Sequence, residues 1–148
     1  MRHIAILIAT IALCGTLSAQ ENTEQAVQYL TKADFLEKVV NYEKNPKQWI
    51  YLGDKPCIID FYADWCRPCR IASPILEDLA KEYKGRIYVY KINTDKESEL
   101  SAAFGIRSIP AFLFCPKSGI PQMSAGIAQT PEETRSLFKK IIDEFLLK

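Results

Sequence analysis

Two cysteines separated by two residues, Cys66 and Cys69, are the side chains of this chain best placed to do chemistry. They close the stretch Asp60-Phe61-Tyr62-Ala63-Asp64-Trp65-Cys66-Arg67-Pro68-Cys69-Arg70. Residues 57–62 ahead of them are an apolar run of strand length, and the pattern from Arg67 onward turns helical. A helix that begins inside the Cys-x-x-Cys gives Cys66 a set of unpaired N–H groups and a partial positive charge, both of which favour an anion. A thiolate is stabilised there, and the thiolate is the form that attacks disulfides. Pro68 suits the first helical turn, where its missing N–H costs nothing. Cys69 lies one turn further on, close enough to attack a mixed disulfide formed on Cys66. A zinc half-site or an incidental pair is the alternative. The strand before and the helix after favour dithiol–disulfide exchange, with Cys66 and Cys69 as the redox-active pair.

The rest of the chain narrows the chemistry. Residues 1–19 carry a short positive start (Arg2, His3), an apolar run and the small-residue end Leu17-Ser18-Ala19, the pattern of a secretory signal peptide. The run is shorter than the ~20 residues a membrane span needs. Cleavage near Ala19 is therefore expected, giving a soluble protein of the periplasm or cell envelope. Cys14 opens the alternative of a lipoprotein, although Leu13 is a poor residue just before a lipidated cysteine. The only histidine, His3, would leave with the leader. That excludes Cys–His or Ser–His catalysis and a histidine-held metal, and no metal or other cofactor is expected. Proton transfer falls to carboxylate, lysine or water. With 19 basic and 18 acidic residues, the loss of Arg2 leaves the two signs balanced, so nothing electrostatic draws the protein to nucleic acid.

The elements that must hold the cysteines fit one domain, residues 31–148, after a polar lead-in at 20–30 in which residues 27–30 suit an edge strand. Thr31 and Asp34 make an approximate capping box for a first helix carrying Phe35, Leu36, Val39 and Val40 on one face. Asn45-Pro46 stops or resets it, and residues 47–52, with Trp49 as a packing residue, suggest a further short turn or helix. The run 57–62 is too continuously apolar for a half-exposed strand and belongs at the centre of a covered sheet. A helix at 67–83 contains Pro74, which should kink it. A parallel strand at 87–92, a short helix at 96–104, a strand at 111–115, an edge strand at 120–127 and a last helix from Thr130-Pro131-Glu132-Glu133 complete the chain. Asp60 is the odd member of its strand. A buried carboxylate is expensive, so its pKa should rise.

The segment 60–70 resembles the active-site segment of thioredoxins, with Arg67 where that family usually has Gly, and Gly105-Ile106-Arg107-Ser108-Ile109-Pro110 resembles the family's loop that ends in a cis-proline. The resemblance spans roughly residues 31–147. It implies an α/β thioredoxin fold, a central mixed β-sheet of four to five strands flanked by helices. It implies that Asp60 lies behind Cys69 and moves protons to or from its sulfur, with Lys91 beside Asp60. It also implies that Ile109, freed by a cis Pro110, pairs with an extended substrate strand. Trp65, Arg67, Pro68, Ile109, Pro110 and Gly126 would then form the substrate-binding surface, Gly126 letting substrate backbone come close. In that topology Cys57 and Cys115 fall on neighbouring antiparallel strands. Two buried free thiols are favoured there, and a cross-strand disulfide is the alternative.

Direction follows from how far the thiolate is favoured. Arg67 adds positive charge between the cysteines and stabilises the reduced form, by at most about one pKa unit or ~30 mV since it is solvated. The expected potential lies somewhat above the ~−270 mV of thioredoxin and well below the ~−120 mV of a dedicated oxidase. The family's oxidases carry a helical insertion before the cis-proline that this chain lacks. The expectation is a monomeric reductase of protein disulfides, supplied with electrons by an unidentified membrane thiol–disulfide carrier. The alternatives are an oxidase or isomerase, a cytochrome c maturation thiol-reductase, or a substrate-binding holdase whose dithiol is idle.

Overall fold

Residues 57–62 do form the covered central strand that their composition predicts, and the other elements are laid around it. The computed structural model describes residues 26–148. The leader at 1–19, Cys14 and most of the lead-in lie outside the described residues. In chain order the elements are β1 (Gln28–Tyr29), α1 (Lys32–Lys38), β2 (Cys57–Tyr62), α2 (Arg67–Glu82), β3 (Tyr88–Asn93), α3 (Ser98–Ala103), β4 (Ala111–Cys115), β5 (Gln122–Ala125) and α4 (Pro131–Ile141), which widens into a π-helical turn (Ile142–Leu146). The five strands make one sheet in the order β1-β3-β2-β4-β5. β1 and β2 both run parallel to β3, whereas β2–β4 and β4–β5 are antiparallel. This is the mixed sheet flanked by helices that was expected.

Alternation along the strands sorts the core into two layers. Ile58 packs with Phe112, Phe114 and Val89 against α2 and α4, through Ala72, Leu76, Leu79 and Phe138. Cys57, Ile59 and Phe61 face the other way, with Phe35, Val39, Leu100 and Leu113. Asp60, two residues from Ile58, therefore lies on the face that α2 covers, and Lys91, two residues from Val89, shares it. The parallel register places Asp60 directly opposite Lys91. Cys57 and Cys115 are also register partners. Both are buried free thiols, and burial pushes the Cys115 thiol well above its ordinary range.

Both expected capping boxes form. The Thr31 hydroxyl accepts from the Asp34 N–H at 3.2 Å while the Asp34 carboxylate accepts from the Thr31 N–H at 3.0 Å. Thr130 and Glu133 repeat the exchange at 3.1 and 3.2 Å. Several boundaries differ from expectation. α1 ends at Lys38, well before Pro46, at the β-branched pair Val39-Val40, which is stiff in a helix. Residues 47–52 are not helical: a turn closes from Gln48 N–H to Asn45 O, and the chain then runs extended, with the Leu52 N–H donating to Val39 O at 2.9 Å. Trp49 is the packing residue expected, set edge-on to Phe104 with ring centroids 6.4 Å apart. β5 is shorter than 120–127, because Pro121 has no N–H for the ladder and Gly126 leaves it with φ +79°.

Candidate active site

β2 ends at Tyr62, and the next four residues turn the chain so that Cys66 becomes the N-cap of α2. Its backbone is extended (φ −76°, ψ 108°), and its sulfur accepts a hydrogen bond from the Cys69 N–H at 3.2 Å. Arg67 and Pro68 are the first two helical residues, as the missing donor of Pro68 allows. Cys66 and Cys69 are joined as a disulfide, with Sγ–Sγ 2.07 Å and Cα–Cα 5.3 Å. Pro74 lies within α2, and the helix continues through it to Glu82.

Both cysteines are covered, Cys66 being only 3% exposed. Ala63, Tyr62 and Ile109 pack against the pair. Ile109 comes from the loop before β4, and its bond to Pro110 is cis. Trp65 is 69% exposed and is held by its indole N–H, which donates to Asp95 at 3.0 Å. Trp65 and Ile109 line an open groove of about 550 Å³ together with Thr94, Ser101, Ile106 and Arg107. Arg67 and Pro68 are exposed beside the disulfide and do not line that groove. Gly126 is tied to Pro110, its N–H donating to the proline carbonyl at 2.8 Å. Its φ of +79° requires glycine, and the space where a Cβ would stand is open. Gly126 is likewise absent from the groove wall.

Asp60 and Lys91 are brought together beneath α2. Asp60 is fully buried and Lys91 is 3% exposed, with Nζ 3.5 Å from Asp60 Oδ2. Neither Asp60 oxygen has a hydrogen-bond partner among the described residues. Burial pushes the Asp60 carboxyl up from 3.8 to about 6, and the nearby ammonium of Lys91 offsets part of that rise. Lys91 Nζ also donates a hydrogen bond to Ser73 Oγ on α2 and stands 4.6 Å from the centroid of the Tyr62 ring. A buried carboxyl raised to about 6, under the helix that carries both sulfurs, is suited to accepting and returning a proton.

Three residues of this neighbourhood were not singled out from the sequence: Ser73, Asn93 and Asp95. Ser73 follows Cys69 by four positions, which places both on one helix face; that spacing was a usable signal. Asn93 Oδ1 accepts from the N–H groups of Asp95 at 3.0 Å and Lys96 at 3.3 Å. An Asn at a strand end is a recognised turn former, and this turn is what presents Asp95 to Trp65.

Comparison with known proteins agrees with this geometry. A family model described as Thioredoxin matches residues 26–142. A thioredoxin of Borreliella burgdorferi is 47% identical over 116 residues, covering 78% of this chain and 94% of the relative. A thioredoxin of Porphyra purpurea is 38% identical over 109 residues, covering 74% and 90%. Among solved structures, chloroplastic thioredoxin z is similar in fold, with a TM-score of 0.59 at 24% identity, covering 79% of this chain and 95% of that one.

Proposed function

Because the chain belongs to the thioredoxin family and is a thiol–disulfide oxidoreductase, we propose that it reduces protein disulfides in the cell envelope through Cys66 and Cys69. The observation that carries this reading is the Cys69 N–H aimed at the Cys66 sulfur from the first turn of α2. After reduction, the same donor and the helix N-terminus stabilise a Cys66 thiolate.

The thiolate attacks one sulfur of a substrate disulfide, forming a Cys66–substrate bond and releasing the other substrate sulfur as a thiolate that takes up a proton. Cys69 then loses its proton, and Asp60 is the group that receives it. The Cys69 sulfur attacks Cys66, re-forms the disulfide and releases the second substrate sulfur. Two electrons and two protons pass to the substrate. The groove beside Trp65 and Ile109 receives an extended segment next to the reacting sulfur, and Pro110 and Gly126 flank the loop that presents Ile109. Arg67 favours the reduced form only modestly, which supports reduction as the direction. The leader-like residues 1–19 support the cell envelope, and a membrane thiol–disulfide carrier would restore the dithiol.

Replacing Cys69 by Ala removes the resolving sulfur, so stable mixed disulfides through Cys66 should accumulate in the cell envelope, while Cys66→Ser should neither trap substrates nor reduce insulin. Adducts formed through another cysteine, or insulin reduction surviving Cys66→Ser, would overturn the proposal.

A further inference from the structure

The buried ammonium of Lys91 has a second partner that the exchange chemistry does not require. Its Nζ lies 3.5 Å from the carboxylate of Asp60 and donates a hydrogen bond to the hydroxyl of Ser73. At 3% exposure it has little access to water, and it stands over the Tyr62 ring on its remaining side. Ser73 is four residues after Cys69, on the face of α2 turned to the sheet. The hydroxyl therefore stands one helical turn beyond the resolving sulfur, above the pair formed by Asp60 and Lys91.

We propose that Ser73 is a positioning residue for the proton-transferring carboxylate: by taking a hydrogen bond from Lys91 it holds the ammonium off Asp60 and so sets the carboxylate's proton affinity. The inference rests on the reading of Asp60 as the proton carrier for Cys69. An ammonium in direct contact would keep Asp60 ionised and make it a poor partner for a thiol. Without the ammonium, burial would keep it protonated and unable to accept the proton of Cys69. The shared arrangement leaves the carboxyl between those limits, in agreement with its displacement toward neutrality. The titratable or charged groups that act on Asp60 are Lys91 from β3 and Tyr62 from its own strand, and α2 covers the pair with the hydroxyl of Ser73. β4 opposes it with Phe112, which is apolar and backed by Phe138 of α4.

Ser73→Ala tests this in the full chain. Alanine is the best helix former, and thermal unfolding verifies that the variant is folded. With the hydroxyl gone, Lys91 keeps only Asp60 as a polar partner among the described residues and closes on it. Shortening the pair by ~0.7 Å at an effective dielectric of ~20 lowers the Asp60 pKa by about one unit. The expected result is that downward shift in a ¹³C titration of the Asp60 carboxyl in reduced protein, with the acid limb of the pH profile for insulin reduction moving the same way. Ser73→Thr should restore both, and in a Lys91→Met background Ser73→Ala should have no further effect. A titration superimposable on the parent, an upward shift, or an undiminished effect without Lys91 would overturn the inference. Asp60→Asn separates the two levels: an acid limb unchanged by it removes the underlying reading. A lost limb with an unmoved Ser73→Ala titration removes only the role of Ser73.

Discussion

Replacing Asp60 by Asn should abolish a pH dependence of stability that the parent carries. A carboxyl whose pKa is raised in the fold contributes stability that is fully present below its unfolded value and is lost as pH rises through its folded value. Here the folded value is about 6 against 3.8, so the parent should weaken between about pH 4 and pH 7. The rise spans about 2.2 pH units, and at ~1.4 kcal/mol per unit the full effect is about 3 kcal/mol. Between pH 4 and pH 8 the measurable part is about 2 to 3 kcal/mol, because the unfolded carboxyl is already partly ionised at pH 4. Asn is neutral throughout and faces Lys91 as the protonated acid does, so the cost of leaving that ammonium without a counter-charge cancels from the slope. All other titrating groups are shared and cancel too. Urea unfolding of the oxidised parent and variant, at several pH values with m held equal, gives the difference directly. It should grow in favour of the variant as pH rises. A difference constant within about 0.5 kcal/mol from pH 4 to pH 8, or one growing toward acid, would refute the claim that burial outweighs Lys91 at this site.

Two smaller perturbations isolate other elements. Arg67→Gly should raise the Cys66 pKa by at most about one unit and lower the reduction potential by at most ~30 mV, because Arg67 is exposed and screened; thiolate absorbance and equilibration with glutathione measure the two. Thr130→Ala removes the hydroxyl that accepts from the Glu133 N–H at the start of α4 and should cost about 1 kcal/mol in urea unfolding, with no change in reduction potential.

What could be read in advance was what local chemistry dictates. β2 announced itself because every residue but one in 57–61 is apolar and all five are buried; only a strand covered on both faces tolerates that. The helix starts at Thr31, Cys66 and Thr130 were legible because caps are short-range contacts between residues three apart. Of the short turn or helix expected at residues 47–52, only a turn at their start forms, because Trp49, Ile50 and Tyr51 supply apolar content without a decisive period. The contact that fixes them extended, Leu52 N–H to Val39 O, joins positions thirteen apart. The near-complete cover of Cys66 was not legible, since Ile109, more than forty residues later, folds against it. The hydrogen bonds that Lys91 donates to Ser73 and Trp65 donates to Asp95 are also tertiary, spanning 18 and 30 residues. No periodicity announces them.

Stability alone does not account for the pair formed by Asp60 and Lys91. Its flanking positions, Ile58, Val89 and Phe112, are apolar and buried, so apolar side chains at 60 and 91 would extend an existing core. Replacing a buried ion pair with well-packed apolar groups is often neutral or stabilising by ~1–4 kcal/mol. The two carboxylate oxygens lack hydrogen-bond partners among the described residues, which adds to the cost of keeping the charge there. The parallel register sets Lys91 opposite Asp60, and strand alternation turns both toward α2, where Ser73 stands one turn after Cys69. A buried charge pair at that point of the fold, beneath the helix that carries both cysteines, is better accounted for by a use than by packing, and the use proposed for it is proton transfer during disulfide exchange.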